Sequence, residues 1–88
     1  MPSIKCFADI ANLSDPDVQA LLRRMDIEDC TTALMEADEN VKQALFRNMS
    51  ERVRTFIQEN MQTRERTPSS EISSVQERIC QLAQSIVG

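Results

Sequence analysis

Four helix-start signals follow one another between Ser14 and Ser50, and almost no chain is left over to connect the helices they open. Ser14-Asp15-Pro16-Asp17 is the first. Ser14 or Asp15 can cap, proline is tolerated in a first helical turn, and acids there complement the macrodipole. Asp26 opens a second helix, with Asp29 placed as a reciprocal capping partner, and Asp38 a third. Ser50 opens a fourth, its hydroxyl positioned to accept from an orphan amide of the next turn. Connections of one to three residues force these helices into a compact, angular stack rather than a bundle of long parallel rods. Composition agrees. The only glycine is the last residue, helix-favouring Glu, Gln, Arg, Ala and Leu are abundant, and no alternating β-branched run signals a strand. The expected fold class is all-α, with five to six helices in one domain over residues 1–88.

The apolar spacing assigns each helix an inner face. Val18, Leu21, Leu22 and Met25 share one face of the first helix, and Ile27, Cys30 and Leu34 form the stripe of the second. Val41, Ala44 and Leu45 point inward from the third, with Phe46 and Met49 widening the stripe. After Ser50, Val53, Phe56, Ile57 and Met61 recur at offsets of three, four and eight and are expected in the core. Arg52, Thr55 and Glu59 fall on the opposite face as an outward ridge. Phe7, Ile10 and Leu13 suggest a brief helix or turn near residues 8–12, preceded by a short unpatterned lead. Residues 63–69 are polar and form an internal linker, and the Pro68-Ser69-Ser70 group at its end opens the last helix. The last helix, at 15–18 residues the longest, carries Ile72, Val75, Ile79, Leu82 and Ile86 and would close the array.

Several function classes are disfavoured. The net charge of −4 opposes general nucleic-acid binding, which needs a basic footprint, although the first two helices could form a helix-turn-helix in shape. No apolar run reaches membrane-spanning length and the N-terminus lacks a signal-peptide core, so the expected compartment is the cytoplasm. There is no histidine, so neither a zinc site nor a histidine-based catalytic set is expected, and no metal or other cofactor is implied. Cys30 and Cys80 occupy apolar helical positions and read as small buried hydrophobes; the competing reading is a thiol enzyme using one of them. The acidic pairs Asp15/Asp17, Glu28/Asp29 and Asp38/Glu39 all lie at helix starts, where capping and the macrodipole explain them. What remains is a surface that binds a partner.

The ordered motifs resemble one family. Asn48-Met49-Ser50-x-Arg52 resembles the NMSxR motif of the C-terminal domain of FliG, the flagellar rotor and switch protein. The run Phe7-Ala8-Asp9-Ile10, Leu13-Ser14-Asp15, Val18-Gln19, Leu21-Leu22-Arg23 is similar to that family's opening segment. Met25-Asp26-x-Glu28 with Ala33-Leu34-x-x-Ala37, then Glu39-x-Val41-Lys42-x-x-Leu45-Phe46-Arg47, and finally Val75-Gln76-x-x-Ile79, continue the likeness over about residues 4–87. The resemblance implies a compact right-handed array of short helices closed by one long C-terminal helix.

It also implies a non-enzymatic rotor component at the cytoplasmic face of the flagellar basal body, peripheral to the membrane and not inserted in it. The implied partners are the cytoplasmic loop of the stator, other rotor and switch proteins, and further copies in a ring. Residue by residue, the ridge arginine of the family matches Arg52, and its two adjacent acids match Glu59 and Asn60. Thr55 lies on the same face. A family lysine matches Met35, and a later basic residue aligns with Pro68, with Arg66 close by. The family's hinge matches Ile4-Lys5-Cys6-Phe7, of which only Phe7 is retained, so residues 1–6 read as a hinge-like lead. Of five charged positions, three have lost their charge, which keeps a second reading open: an adaptor with this fold and without the torque role. No counterparts of the family's N-terminal and middle domains are seen, so the chain is either a segment of a longer protein or a stand-alone divergent relative.

Overall fold

The computed structural model describes residues 4–63 and 66–87. A 3-10 helix, Phe7–Asn12, leads into α1 (Asp15–Arg24), α2 (Ile27–Leu34), α3 (Glu39–Arg47), α4 (Glu51–Thr63) and α5 (Ser69–Val87). Among the described residues there is no strand. The two serine caps form as expected: Ser14 Oγ accepts from the Asp17 amide at 3.4 Å and Ser50 Oγ from the Val53 amide at 3.3 Å. Asp26 and Asp38 take the extended backbone of an N-cap, but their carboxylates make no capping bond. Each instead serves through its carbonyl, which accepts from the amide four residues on, Cys30 at 3.0 Å and Lys42 at 3.0 Å. Asp29, expected to reciprocate Asp26, instead receives Arg78 of α5 at 3.3 Å.

No described residue has a positive φ, so the corners are turned without glycine. The helices end in tight bonds three residues back, Met25 to Leu22, Met35 to Thr32 and Asn48 to Leu45. The end of α2 receives help from afar: Gln76 of α5 donates Nε2 to the carbonyls of Ala33 (2.9 Å) and Glu36 (3.1 Å). The Ala33 carbonyl of the last turn and the Glu36 carbonyl just beyond the helix are thereby satisfied by a side chain forty or more residues away.

The core is one cluster. Ile10, Leu21, Leu34, Leu45 and Ile57 are its largest wholly enclosed side chains, and α5 covers them with Val75, Ile79, Cys80 and Ala83. The lead belongs to this core from residue 4 on. Ile4 is buried and its carbonyl accepts from Gln84 of α5 at 2.8 Å, while Phe7 is buried beside it. Asp9 secures the 3-10 helix by accepting from the amides of Lys5 (2.8 Å) and Cys6 (3.2 Å), and these bonds hold its carboxyl below the ordinary carboxylate range. At the other end, α5 runs 19 residues, longer than its apolar pattern suggests. Pro68 starts it early by offering its carbonyl to the amides of Glu71 and Ile72, so Ser69 and Ser70 are helical. Gln62 and Thr63 likewise belong to α4, which leaves 64–68 as the connection. Residues 1–3 of the lead and 64–65 of this linker lie outside the described residues.

Candidate partner-binding face

The direction of α4 is set at the junction that precedes it. Asn48 ends α3 and uses its whole side-chain amide. Its Nδ2 donates to the Ala44 carbonyl (2.8 Å) and to Asp15 Oδ1 (3.1 Å), and its Oδ1 accepts from Gln19 Nε2 at 3.2 Å. Arg47 adds two bonds to the same Asp15 oxygen, from Nε at 3.1 Å and Nη2 at 2.9 Å. The side chain of Asn48, and then that of Arg47, hold the Asp15 carboxyl below its usual range. Both partners of the ion pair are about half exposed, so screening makes its worth small; its effect is geometric, tying α1 to the end of α3. Ser50 then caps α4 within two residues of this network.

α4 packs chiefly against α2 and so buries a narrow stripe. Ile57 is its one fully enclosed side chain, with Val53 and Met61, one turn before and one after, partly covered. Phe56 does not join them. It is 49% exposed, a correction to the inward position its spacing suggested. The physical reason is angular: a helix covered from one side encloses about 100° of its circumference, and Phe56 lies about one residue's rotation, ~100°, from Ile57. That rotation carries it onto the ridge, between Arg52 and Glu59. Ile27, the first residue of α2, is similarly 43% exposed and leaves the stripe formed by Cys30 and Leu34.

The outward face of α4 therefore presents Arg52, Thr55, Phe56 and Glu59. Arg52 and Glu59 are two turns apart, about 10.5 Å along the axis at 1.5 Å per residue. Neither charge has a partner among the described residues. Asn60 sits at the edge of this face, half-buried, with its Nδ2 turned back onto the Phe56 carbonyl at 2.7 Å. Arg66 is exposed but lies beyond the end of α4, in the connection to α5. Phe7 is in the core and not on this face. Of the residues picked from sequence, the structure brings Arg52, Thr55 and Glu59 together, leaves Asn60 at the margin, and adds Phe56.

Among the described residues, concavities flank the helices. A groove of about 530 Å³ runs between the end of α1, the start of α2 and the first turns of α4; Leu22, Met25, Met49 and Val53 line it over Cys30 and Ile57. A second, of about 380 Å³, lies where Cys6 and Phe7 meet α3 and α5, with Glu36, Asp38 and Glu77 at its rim. The Cys30 thiol lies at the first, and at the second the exposed Cys6 thiol donates to Asp9 Oδ2 at 3.7 Å. Burial pushes the Cys30 thiol up to about 12 and raises that of Cys80 as well, so both stay protonated near neutrality. Among the described residues no helix is long and apolar enough to cross a membrane.

Residues 3–87 match the family model described as the FliG C-terminal domain. Flagellar motor switch proteins FliG are similar to this chain: that of Pseudomonas aeruginosa is 29% identical over 77 residues, 88% of this chain and 23% of the relative. That of Borreliella burgdorferi is 32% identical over 76 residues, 86% of this chain and 22% of the relative. The solved structure of full-length FliG from Aquifex aeolicus superposes with a TM-score of 0.90 at 30% identity, covering 94% of this chain and 26% of that one. The chain thus spans about a quarter of the length of the curated relatives it matches.

Proposed function

Since the chain belongs to the FliG C-terminal domain family, we propose that it works as a non-enzymatic component of the flagellar rotor and switch, at the cytoplasmic face of the basal body. In this reading the outward face of α4 meets the cytoplasmic loop of the stator, while other surfaces meet switch proteins and neighbouring copies in the ring. The observation that carries the proposal is the state of the ridge: Arg52 and Glu59 stand two turns apart, exposed, with no partner among the described residues. Arg52 is in the first turn of α4 and Glu59 toward its end, against the preference of the helix macrodipole, so helix stability does not account for them.

Complementary charge suits such a contact. At cellular salt it is screened within about 8–10 Å and each exposed pair is worth about 1 kcal/mol or less. It therefore orients a partner and speeds encounter without slowing release, as a surface that engages and disengages repeatedly requires. The half-exposed ring of Phe56 adds an uncharged anchor between the two charges.

Reversing either charge tests the reading. In the bacterium that carries this chain, Arg52→Glu and Glu59→Lys should each reduce swimming while the purified variants keep wild-type helicity. Normal motility in both would remove the stator contact. A second reading, a FliG-like adaptor without the torque role, is favoured by one set of observations: Met35, Asn60 and Pro68 stand uncharged where the family resemblance places charges. Capture experiments that return no motor protein, together with normal motility of the reversed variants, would select it.

A further inference from the structure

The exposed face of α4 is complementary to itself, and we infer that it pairs, antiparallel, with α4 of a second copy of this chain about a two-fold axis between residues 55 and 56. The inference does not depend on the rotor reading; it needs only the order of groups along one helix face. In an antiparallel pair related by a two-fold axis, residues i and j that face each other across the interface have a constant sum, and the same contact occurs twice. Placing the axis between Thr55 and Phe56 sets Arg52 of each copy opposite Glu59 of the other. Arg52 and Glu59 lie close to the centre of the outward face, so both pairs form together at a helix separation of about 8–10 Å.

The same axis brings the two Phe56 rings against each other on one side of the contact and the two Thr55 side chains together on the other. Phe56 lies less than one residue's rise, about 0.75 Å, from the axis along the helix. Its ring is 49% exposed in the single copy, and a second ring would cover it. The pairing thus satisfies three groups on the isolated face: a cation and an anion with no partner among the described residues, and an exposed aromatic. Parallel pairing leaves both charges unsatisfied, because it sets like charges against each other.

The contact is small. Four turns of one helix bury a few hundred Å² on each copy, well under the roughly 800 Å² per partner of a stable interface. The association is accordingly weak, with a dissociation constant on the order of 0.1–1 mM, and it becomes populated where copies are held at high local concentration. It uses the face proposed for the stator, so pairing and stator contact exclude each other.

Sedimentation equilibrium of the 88-residue chain tests this directly, with circular dichroism confirming that each variant is folded. Wild-type protein should show a monomer–dimer equilibrium at low salt that weakens at high salt. Arg52→Glu alone and Glu59→Arg alone should each weaken it at least tenfold, since each replaces two attractions with two repulsions. Mixing the two single variants should restore a dimer, because the acids of one copy then face the bases of the other. Phe56→Ala should also weaken it. A wild-type chain that stays monomeric at millimolar concentration overturns the inference. So does a dimer indifferent to Arg52→Glu, or a mixture of the two variants that fails to associate. The rotor reading fails separately, on motility, and the mixed-variant dimer does not bear on it.

Discussion

Phe56 and Ile57 are neighbours in sequence with the same hydrophobic character, and the structure gives them opposite consequences on truncation. Ile57 is 0% exposed and is the only fully enclosed side chain α4 contributes. Replacing it with alanine removes buried methyl groups and leaves a cavity at the α2–α4 contact, at a cost of about 2–5 kcal/mol. The whole domain, at about 0.05–0.15 kcal/mol per residue, holds only about 4–13 kcal/mol, so Ile57→Ala takes a large share. Phe56→Ala differs. With half its surface already in water, the ring loses on the order of 50 Å² of buried apolar area, about 1.2 kcal/mol at 25 cal/mol per Å². Alanine returns about 0.5 kcal/mol through its better helix propensity. The net cost is then below about 1 kcal/mol. Urea unfolding followed by helical circular dichroism, at dilute concentration where copies do not associate, measures both. A Phe56→Ala cost above about 3 kcal/mol, or an Ile57→Ala cost below about 1 kcal/mol, would mean that α4 is rotated from the orientation described and that the ridge is not the outward face.

The acid limb of stability depends on the junction network. Asp9 and Asp15 both have folded-state pKa values below the ordinary 3.8, so folding favours their ionised forms; the stability this contributes is complete above that value and is lost as pH falls through the lower folded values. Asn48→Ala removes the largest of the groups holding Asp15 down, so the Asp15 carboxyl, followed by NMR, should titrate closer to 3.8 than in the wild type. Native alkylation with iodoacetamide should label Cys6, which is exposed, and spare Cys30 and Cys80, with all three reacting in urea. Rapid native labelling of Cys30 would contradict its enclosure and reopen a thiol chemistry.

Much of this fold is legible in the chain because its signals are local. Ser14 and Ser50 cap as their chemistry dictates, and the stripe of Ile72, Val75 and Ile79 faces the core as its spacing requires. Asp26 and Asp38 mark helix starts correctly for a reason other than a side-chain cap, since the extended backbone and the carbonyl bond suffice. Features that depend on a distant partner are not legible. Gln76 reaches the end of α2, Gln84 reaches the Ile4 carbonyl, and Asn48 joins Asp15 to Gln19, yet none of these amides carries a pattern of its own. The outward position of Phe56 was hidden for a related reason. Spacing gives an angle on a helix, but the width of the buried stripe depends on how many neighbours cover it, and α4 leans mainly on α2. The charges at Arg52 and Glu59 are legible in the chain; the aromatic ring that stands between them is not.

Torque on a tethered flagellum, measured in cells carrying Arg52→Glu, tests the central claim most directly. The account predicts reduced torque at normal abundance of the variant, with torque recovered when the facing charge on the stator loop is reversed as well. Full torque in the Arg52→Glu cells, or a loss that no reversal on the stator loop recovers, would contradict it.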